Sequence, residues 1–274
     1  MIEFLGIGAQ KAATTWLTEN LRVHPQVWMP GFAKELHYFD VVHYKDKKRF
    51  YLKKLEKNCS DSIQRMQKKG RNNESKEAYL RKIFQPDFAF TDDWYCHIFS
   101  AAPASTVRGE FTPLYSTLSR EGIAHVKKLM PNVKLIHIIR DPADRALSSL
   151  RMALARREGR KTQEEVLQGE RFWERGNYAK NIPMWEEQFP PEQIIYLPYG
   201  RVRTDPLSIM REVESSLGLS PFDRYPFLEK TVHKTKQVDI PITPESHAVI
   251  AERTKPQYLF LKERFGELFA AQLK

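Results

Sequence analysis

The sequence predicts a single α/β domain over residues 1–274, with a central parallel sheet flanked by helices. Three observations carry that expectation. Short apolar runs of strand type alternate with segments whose apolar residues recur at helical spacing. The first strand and helix are joined by a loop of small residues, as in the opening unit of a parallel sheet. No internal repeat or low-complexity linker divides the 274 residues, a length that buries a full core without disulfides.

Ile2 to Ile7 is an apolar run that stops at Gly8. The loop Gly8-Ala-Gln-Lys-Ala-Ala then leads through Thr14 and Thr15 into Trp16, Leu17 and Leu21, apolar at helical spacing. Val27-Trp-Met-Pro closes this unit, and Lys34 to Asp40 reads as an extended segment. Residues 41–82 are charge-rich with scattered Tyr, Phe, Leu and Ile. They read as one or two surface helices broken near Gly70, within a basic helical insertion spanning 41–90. Val107 to Phe111 is a short strand, and Ser119 caps a helix carrying Ile123, Val126, Leu129 and Met130 on one face. Lys134 to Ile139 is a buried strand that runs into Arg140-Asp-Pro. Pro142, tolerated in a first turn, opens a helix to about Arg157. Gln193 to Leu197 is a strand, Pro206 to Leu217 a helix closed by Gly218, and Tyr258 to Leu273 a terminal amphipathic helix.

Composition narrows the classes. No run approaches 18 consecutive apolar residues, which excludes a membrane-spanning helix, and the N-terminus lacks a secretory pattern, so a cytoplasmic protein is expected. Cys59 and Cys96 have no metal-ligand spacing, and neither a disulfide framework nor a zinc site is expected. Residues 45–82 hold 14 Lys/Arg against 5 Asp/Glu, a net +9 in a chain of net +10. The charge is a local patch, not the overall field of a nucleic-acid binder.

A strand-to-helix loop is an anion site, because free backbone N–H groups and the helix dipole face it. Gly8, Ala12 and Ala13 let the backbone close on a phosphate; Lys11 adds a cation, and Thr14 and Thr15 add hydroxyls. The spacing is not that of a nucleotide triphosphatase loop. Ala13 stands where G-x-x-x-x-G-K-[ST] needs its second glycine, and Thr14 where it needs lysine. A second grip lies at Arg140, on the carboxyl end of a strand where open α/β sheets bind ligands. Its planar fork suits a phosphate, and Ser148, about two turns into the next helix, closes the other side, with Ser149 the neighbouring candidate.

Gly8-Ala-Gln-Lys-Ala-Ala-Thr-Thr-Trp-Leu resembles the 5′-phosphosulfate loop of sulfotransferases that use 3′-phosphoadenylyl sulfate (PAPS), closest to the heparan-sulfate type and its bacterial relatives. Arg140, Pro142 and Ser148 match that family's 3′-phosphate motif. Lys34-Glu-Leu-His-Tyr-Phe, Gly109-Glu-Phe-Thr-Pro-Leu-Tyr115 and Arg175-Gly-Asn-Tyr178 are similar to three further family segments. The resemblance spans about residues 2–40 and 107–219.

It implies a P-loop-kinase-like sulfotransferase fold and sulfuryl transfer from PAPS to a hydroxyl or amine of a carbohydrate or glycoconjugate, leaving PAP. It assigns Gln10, Lys11, Ala12, Ala13, Thr14, Thr15, Trp16, Arg140, Ser148 and Tyr178 to the nucleotide. Lys234 and Lys236 lie where relatives carry a basic loop over it. Lys11 would neutralise the leaving oxygen and Glu35 would act as base, with His37 assisting or serving as the base itself. Lys34 would bind the sulfonate or the acceptor, and Glu110 would orient a catalytic lysine or a substrate hydroxyl, beside Glu35 and His37 on the acceptor side; Phe111 stands where some relatives carry a lysine. The transferred group bears a single negative charge, so no metal is expected.

The acceptor's identity is not legible in the sequence. The basic stretch is suited to an anionic carbohydrate or lipid headgroup, and equally to a solvated helix face. Two rivals stand beside this reading: a small-molecule kinase using Mg-ATP, and a nucleic-acid-binding module on residues 45–82, for which only Phe50, Tyr51 and Tyr79 offer stacking platforms.

Overall fold

The computed structural model describes residues 2–44, 47–71, 73–156, 161–229 and 240–274. Five parallel strands form one sheet: β1 (Phe4–Gly8), β2 (Val27–Trp28), β3 (Val107–Phe111), β4 (Lys134–Ile139) and β5 (Ile194–Pro198), in the order β2-β3-β1-β4-β5. β1 pairs with both β3 and β4, so the chain leaves the centre in both directions and a crevice opens at the carboxyl end of β1. The fold class is that expected, with an added two-residue edge strand at Val27–Trp28.

Alternation along the strands makes two cores. Leu5, Ile7 and Leu135 face one layer, and Phe4, Ile136 and Ile138 the other. On the first face lie α2 (Tyr38–Tyr44), α3 (Lys48–Lys68), α4 (Glu74–Ile83), α5 (Asp92–Phe99) and α6 (Arg120–Leu129). The one or two surface helices expected across 41–82 are α3, which ends at Lys68, and α4, which begins at Glu74. Leu55, Cys59 and Ile63 of α3 repeat every fourth residue and pack with Leu80 and Ile83 of α4. Trp94 of α5 locks this layer by donating its Nε1 hydrogen to the Ile83 carbonyl at 2.7 Å.

α1 (Thr14–Val23), α7 (Pro142–Arg156), α8 (Gln163–Leu167), α9 (Glu170–Glu174), α10 (Tyr178–Glu186), α11 (Arg201–Thr204) and α12 (Pro206–Ser216) follow or interleave with the strands. The expected terminal helix differs in extent. It begins at Pro244, behind the Thr243 cap, runs to Phe265 as α13, and is broken by Gly266 before α14 (Glu267–Ala271). Thr243-Pro244 is a helix start signal, but the helix behind it is weakly amphipathic and carries Pro256 inside, so periodicity does not mark its first turns. Among the described residues no helix is long and apolar enough to cross a membrane.

The segment Lys34–Asp40 departs from the extended form expected of it. His37 takes a left-handed backbone with φ 56°, and α2 begins at Tyr38. Both Tyr38 and Phe39 are buried in an aromatic cluster with Tyr95 and Tyr115, and a helix brings these consecutive residues inward together where a strand would alternate them.

Candidate active site

Because all five strands run the same way, the segments leaving β1, β3, β4 and β5 emerge on one edge. The loop after β1 is shaped by its backbone: Lys11 and Ala13 have φ of 71° and 58°, and α1 starts at Thr14. Ala13 thus takes the left-handed conformation that glycine adopts without cost. A Cβ at Gly8 would be a tight fit, 3.0 Å from His137 Nε2 and 3.1 Å from Ser116 Cβ, so these neighbours would have to give by a few tenths of an ångström. Burial pushes His137 down to about 3, so a neutral ring sits beneath the loop.

Arg140 leaves β4 towards this loop and donates from Nη1 to the Lys11 carbonyl at 2.8 Å, with its guanidinium over the Tyr199 ring at 4.5 Å. Its buried Nε has no hydrogen-bond partner. The two expected anion grips are therefore in direct contact. Gln10 accepts from Arg175 Nη1 at 2.8 Å, which draws the Arg175-Gly176 turn over the loop. Ser148 is half-buried on α7, whereas Ser149 is buried and accepts from Arg145 at 3.2 Å. Ala12 and Thr14 are buried and Thr15 half-buried in the first turn.

Two residues assigned to the nucleotide also make hydrogen bonds within the protein. Trp16 lies on the inward face of α1 and donates from Nε1 to the Leu228 carbonyl at 3.1 Å. Tyr178 is buried behind Arg140; its hydroxyl donates to the Arg140 carbonyl at 3.1 Å and accepts from the Arg140 N–H at 3.3 Å. It braces the strand end and presents no polar group outward. Lys234 and Lys236 lie outside the described residues.

The second half of the edge is a chain of charges. Glu35 Oε1 lies 3.2 Å from Lys34 Nζ, its Oε2 lies 3.1 Å from His37 Nε2, and His37 Nδ1 lies 3.0 Å from Asp40 Oδ2. Burial works to raise the Glu35 carboxyl, but the His37 hydrogen bond and the Lys34 charge outweigh it and hold it at about 2. Burial works to lower His37, yet hydrogen bonds and charge from Asp40 and Glu35 lift it to about 9. At neutral pH Glu35 is a carboxylate and His37 an imidazolium, able to donate a proton but not to take one. Glu35 and His37 meet through this hydrogen bond at a left-handed turn, not through strand alternation.

Glu110, expected to orient a catalytic lysine or a substrate hydroxyl, meets two hydroxyls of the protein itself. It is fully buried and accepts from the Thr112 hydroxyl at 2.7 Å and from the Tyr95 hydroxyl at 3.3 Å; burial pushes it up to about 7. Thr112 in turn accepts the backbone N–H groups of Leu36 at 3.1 Å and His37 at 3.4 Å. Glu110 thereby positions the Glu35–His37 turn from behind. Phe111 points into the opposite core against Phe4.

Sequence reasoning passed over two arginines. Arg22 of α1 reaches back from Nη2 to the Pro30 and Ala33 carbonyls, both at 3.0 Å, tying the segment before Lys34 to the helix of the phosphate loop. Arg145, five residues after Arg140, is 1% exposed and lies so close to Gly176 that a Cβ there would meet its Nη2 at 2.3 Å. An arginine about one turn into the helix that follows a strand-end arginine was the available signal. Among the described residues no cluster of three His, Cys, Asp or Glu could hold a metal ion.

Comparison with known proteins bears on this edge. The profile described as "Sulfotransferase family" matches residues 4–224. The chain is 27% identical over 223 residues to heparan sulfate glucosamine 3-O-sulfotransferase 3B1 of Mus musculus, covering 78% of this chain and 45% of that protein. It is also 27% identical over 244 residues to bifunctional heparan sulfate N-deacetylase/N-sulfotransferase 3 of Homo sapiens, covering 81% of this chain and 23% of that one. The chain thus spans less than half the length of these curated relatives. Among solved structures, a sulfotransferase from Alicyclobacillus acidocaldarius superposes with a TM-score of 0.70 at 18% identity, over 96% of this chain and 95% of that one. The sulfotransferase domain from the curacin biosynthetic pathway gives 0.58 at 16%, over 93% and 98%. At these identities the two structures speak to the fold alone.

Proposed function

The chain belongs to the sulfotransferase family, and from that premise we propose that it moves a sulfuryl group from PAPS to a hydroxyl or amine of a carbohydrate or glycoconjugate acceptor. The observation that carries the donor half is the Arg140 guanidinium held against the Lys11 carbonyl, which joins the two anion-binding elements at the crevice beside β1. The residues suit a nucleotide with two phosphate ends. The loop amides and Lys11 would hold the 5′ end. Arg140, whose buried Nε lacks a partner, would hold the 3′-phosphate with Ser148. PAPS, when bound, supplies the sulfuryl group and a 5′-phosphate leaving group.

Lys11 neutralises the charge that grows on the oxygen between sulfur and phosphate as that bond breaks. Glu35 takes the acceptor's proton as its oxygen or nitrogen bonds to sulfur. A carboxylate held as low as about 2 accepts that proton late, once bond formation has made it acidic. His37, already protonated, orients Glu35 and stays paired with Asp40 when Glu35 is neutralised.

The test is thermal stabilisation by PAP in the absence of divalent metal. At a large excess over Kd the ligand should stabilise by about 3–4 kcal/mol, and Mg-ATP by far less. Arg140→Ala should remove the response to PAP while leaving the unliganded protein folded. A response to Mg-ATP that exceeds that to PAP would overturn the reading in favour of a kinase.

A further inference from the structure

Beside Glu35 the structure holds a cavity of about 330 Å³, at the lower end of the range for small-molecule sites. One wall is the segment carrying Glu35 and Leu36, and the other is α3, which contributes Tyr51, Lys54, Leu55 and Asn58. Resting on the sulfotransferase reading above, we propose that α3 is the acceptor-recognising wall of the active site. In it Lys54 and Asn58 bind an anionic group on the unit that carries the attacked hydroxyl or amine.

Three observations converge on this. The spacing of Tyr51, Lys54, Leu55 and Asn58 is that of one helical face, so the wall is a rigid element and not a loop. It is fixed to the catalytic segment, since the Tyr51 ring stacks on His37 with centroids 4.1 Å apart and planes 23° apart. Motion of α3 would therefore disturb the partner that orients Glu35. The charge balance of the cavity then defines what enters. Lys34 is compensated by Glu35 at 3.2 Å, but among the described residues no carboxylate pairs with Lys54. An acceptor with a carboxylate or sulfate beside its nucleophile completes that pair. Leu36 and Leu55 offer an apolar floor to the carbon face of the same unit, and Asn58 supplies both a donor and an acceptor.

α3 is basic along its length, with seven Lys/Arg against Glu56 and Asp61, so general attraction of polyanions must be separated from recognition in the cavity. Lys53 is exposed and outside the cavity lining, which makes it the matched control.

The experiment loads the protein with PAP and titrates it, at physiological salt, with a glucuronate-containing tetrasaccharide and separately with phosphatidylglycerol vesicles. The two arms distinguish a saccharide from a lipid headgroup as the source of the anion. Lys54→Glu should weaken binding of the preferred probe by about tenfold or more. Asn58→Ala should weaken it by about threefold to tenfold, and Lys53→Glu should change it by less than about twofold. Stabilisation by PAP should be the same in all three variants. Equal losses in Lys53→Glu and Lys54→Glu, binding that ignores Lys54, or binding of neither probe by PAP-loaded protein would overturn the inference while leaving the donor assignment intact. Failure of the unsubstituted protein to bind PAP would overturn both.

Discussion

On the β4 side of β1, the groups proposed to meet the nucleotide are set by the main chain: a loop with two left-handed residues, a guanidinium on a loop carbonyl, and a tyrosine bonded to both backbone groups of Arg140. On the β3 side, the corresponding groups are set by side chains: a run of alternating charges from Lys34 to Asp40, hung on the Thr112 hydroxyl and braced by α3. The first arrangement is a fixed cradle that suits an invariant ligand. The second can be altered one side chain at a time, which is what a site for a variable acceptor requires.

The contrast breaks most visibly at Glu35. Glu35→Gln should lower kcat by about 10²–10⁴-fold while leaving the PAP response unchanged, because a neutral amide cannot take the acceptor's proton. Single-turnover rates and PAP thermal shifts measured on the same preparation check both halves. Turnover within about tenfold of the unsubstituted enzyme would remove the carboxylate from the role of base. Losing the carboxylate also strips His37 of one of the two groups that raise it, so its titration should move down from about 9.

Thr112→Val comes next. It removes the hydroxyl that joins Glu110 to the Leu36 and His37 amides and leaves buried groups unpaired, a cost of about 1–3 kcal/mol. Because the turn holding Glu35 is loosened and the nucleotide cradle is not touched, kcat should fall while PAP affinity holds. Chemical denaturation together with kinetics reads both. An equal loss of PAP binding would mean that the two sides of β1 are not separately built.

How far the site was legible follows the same division. The meeting of the Lys11 loop and Arg140 was readable because Gly8 to Thr15 and Arg140 to Ser148 are contiguous segments whose strand-loop-helix setting follows from apolar periodicity. What the motifs did not show is that the helix turns Trp16 inward, onto the Leu228 carbonyl, and that the Tyr178 hydroxyl bonds the Arg140 backbone. The acceptor half was less readable because its geometry is long-range. The Thr112 hydroxyl meets residues 76 positions away, and the cavity needs α3 laid against Glu35. No periodicity in a single sequence records such pairings. The left-handed turn at His37 was equally hidden, since histidine carries no glycine-like signal of positive φ.

Glu110 gives a pH test of the same bracket. Its folded value of about 7 stands above its ordinary 4.5, so the stability it contributes is present below 4.5 and is lost as pH rises to 7. His137, held down at about 3, acts in the opposite sense below 6.5, so the two slopes offset in the unsubstituted protein. The difference between Glu110→Gln and the unsubstituted chain isolates the first. The variant should gain relative stability between pH 4.5 and 7, by at most about 1.4 kcal/mol per pH unit, and no more above 7. A difference independent of pH would show that the carboxyl ionises as freely in the fold as outside it.

The smallest effect sharpens the claim that the donor cradle is a backbone device. Ala13 sits at φ 58°, where a Cβ costs about 1–2 kcal/mol that glycine avoids. Glycine loses part of that gain through the greater freedom of its unfolded chain, about 0.4–1 kcal/mol. The net should be a stabilisation of up to about 1.6 kcal/mol, a rise in Tm of a few degrees. Ala13→Val should fall on the other side, because a β-branched residue is still less at ease with positive φ. PAP affinity should follow the same order, Gly at least equal to Ala and Ala above Val, since what changes is the ease of holding loop amides that no side chain replaces. Variants whose stabilities shift in this order while PAP affinity stays constant would mean that the loop shape and the nucleotide grip are independent, and the cradle would then have to be built from side chains after all.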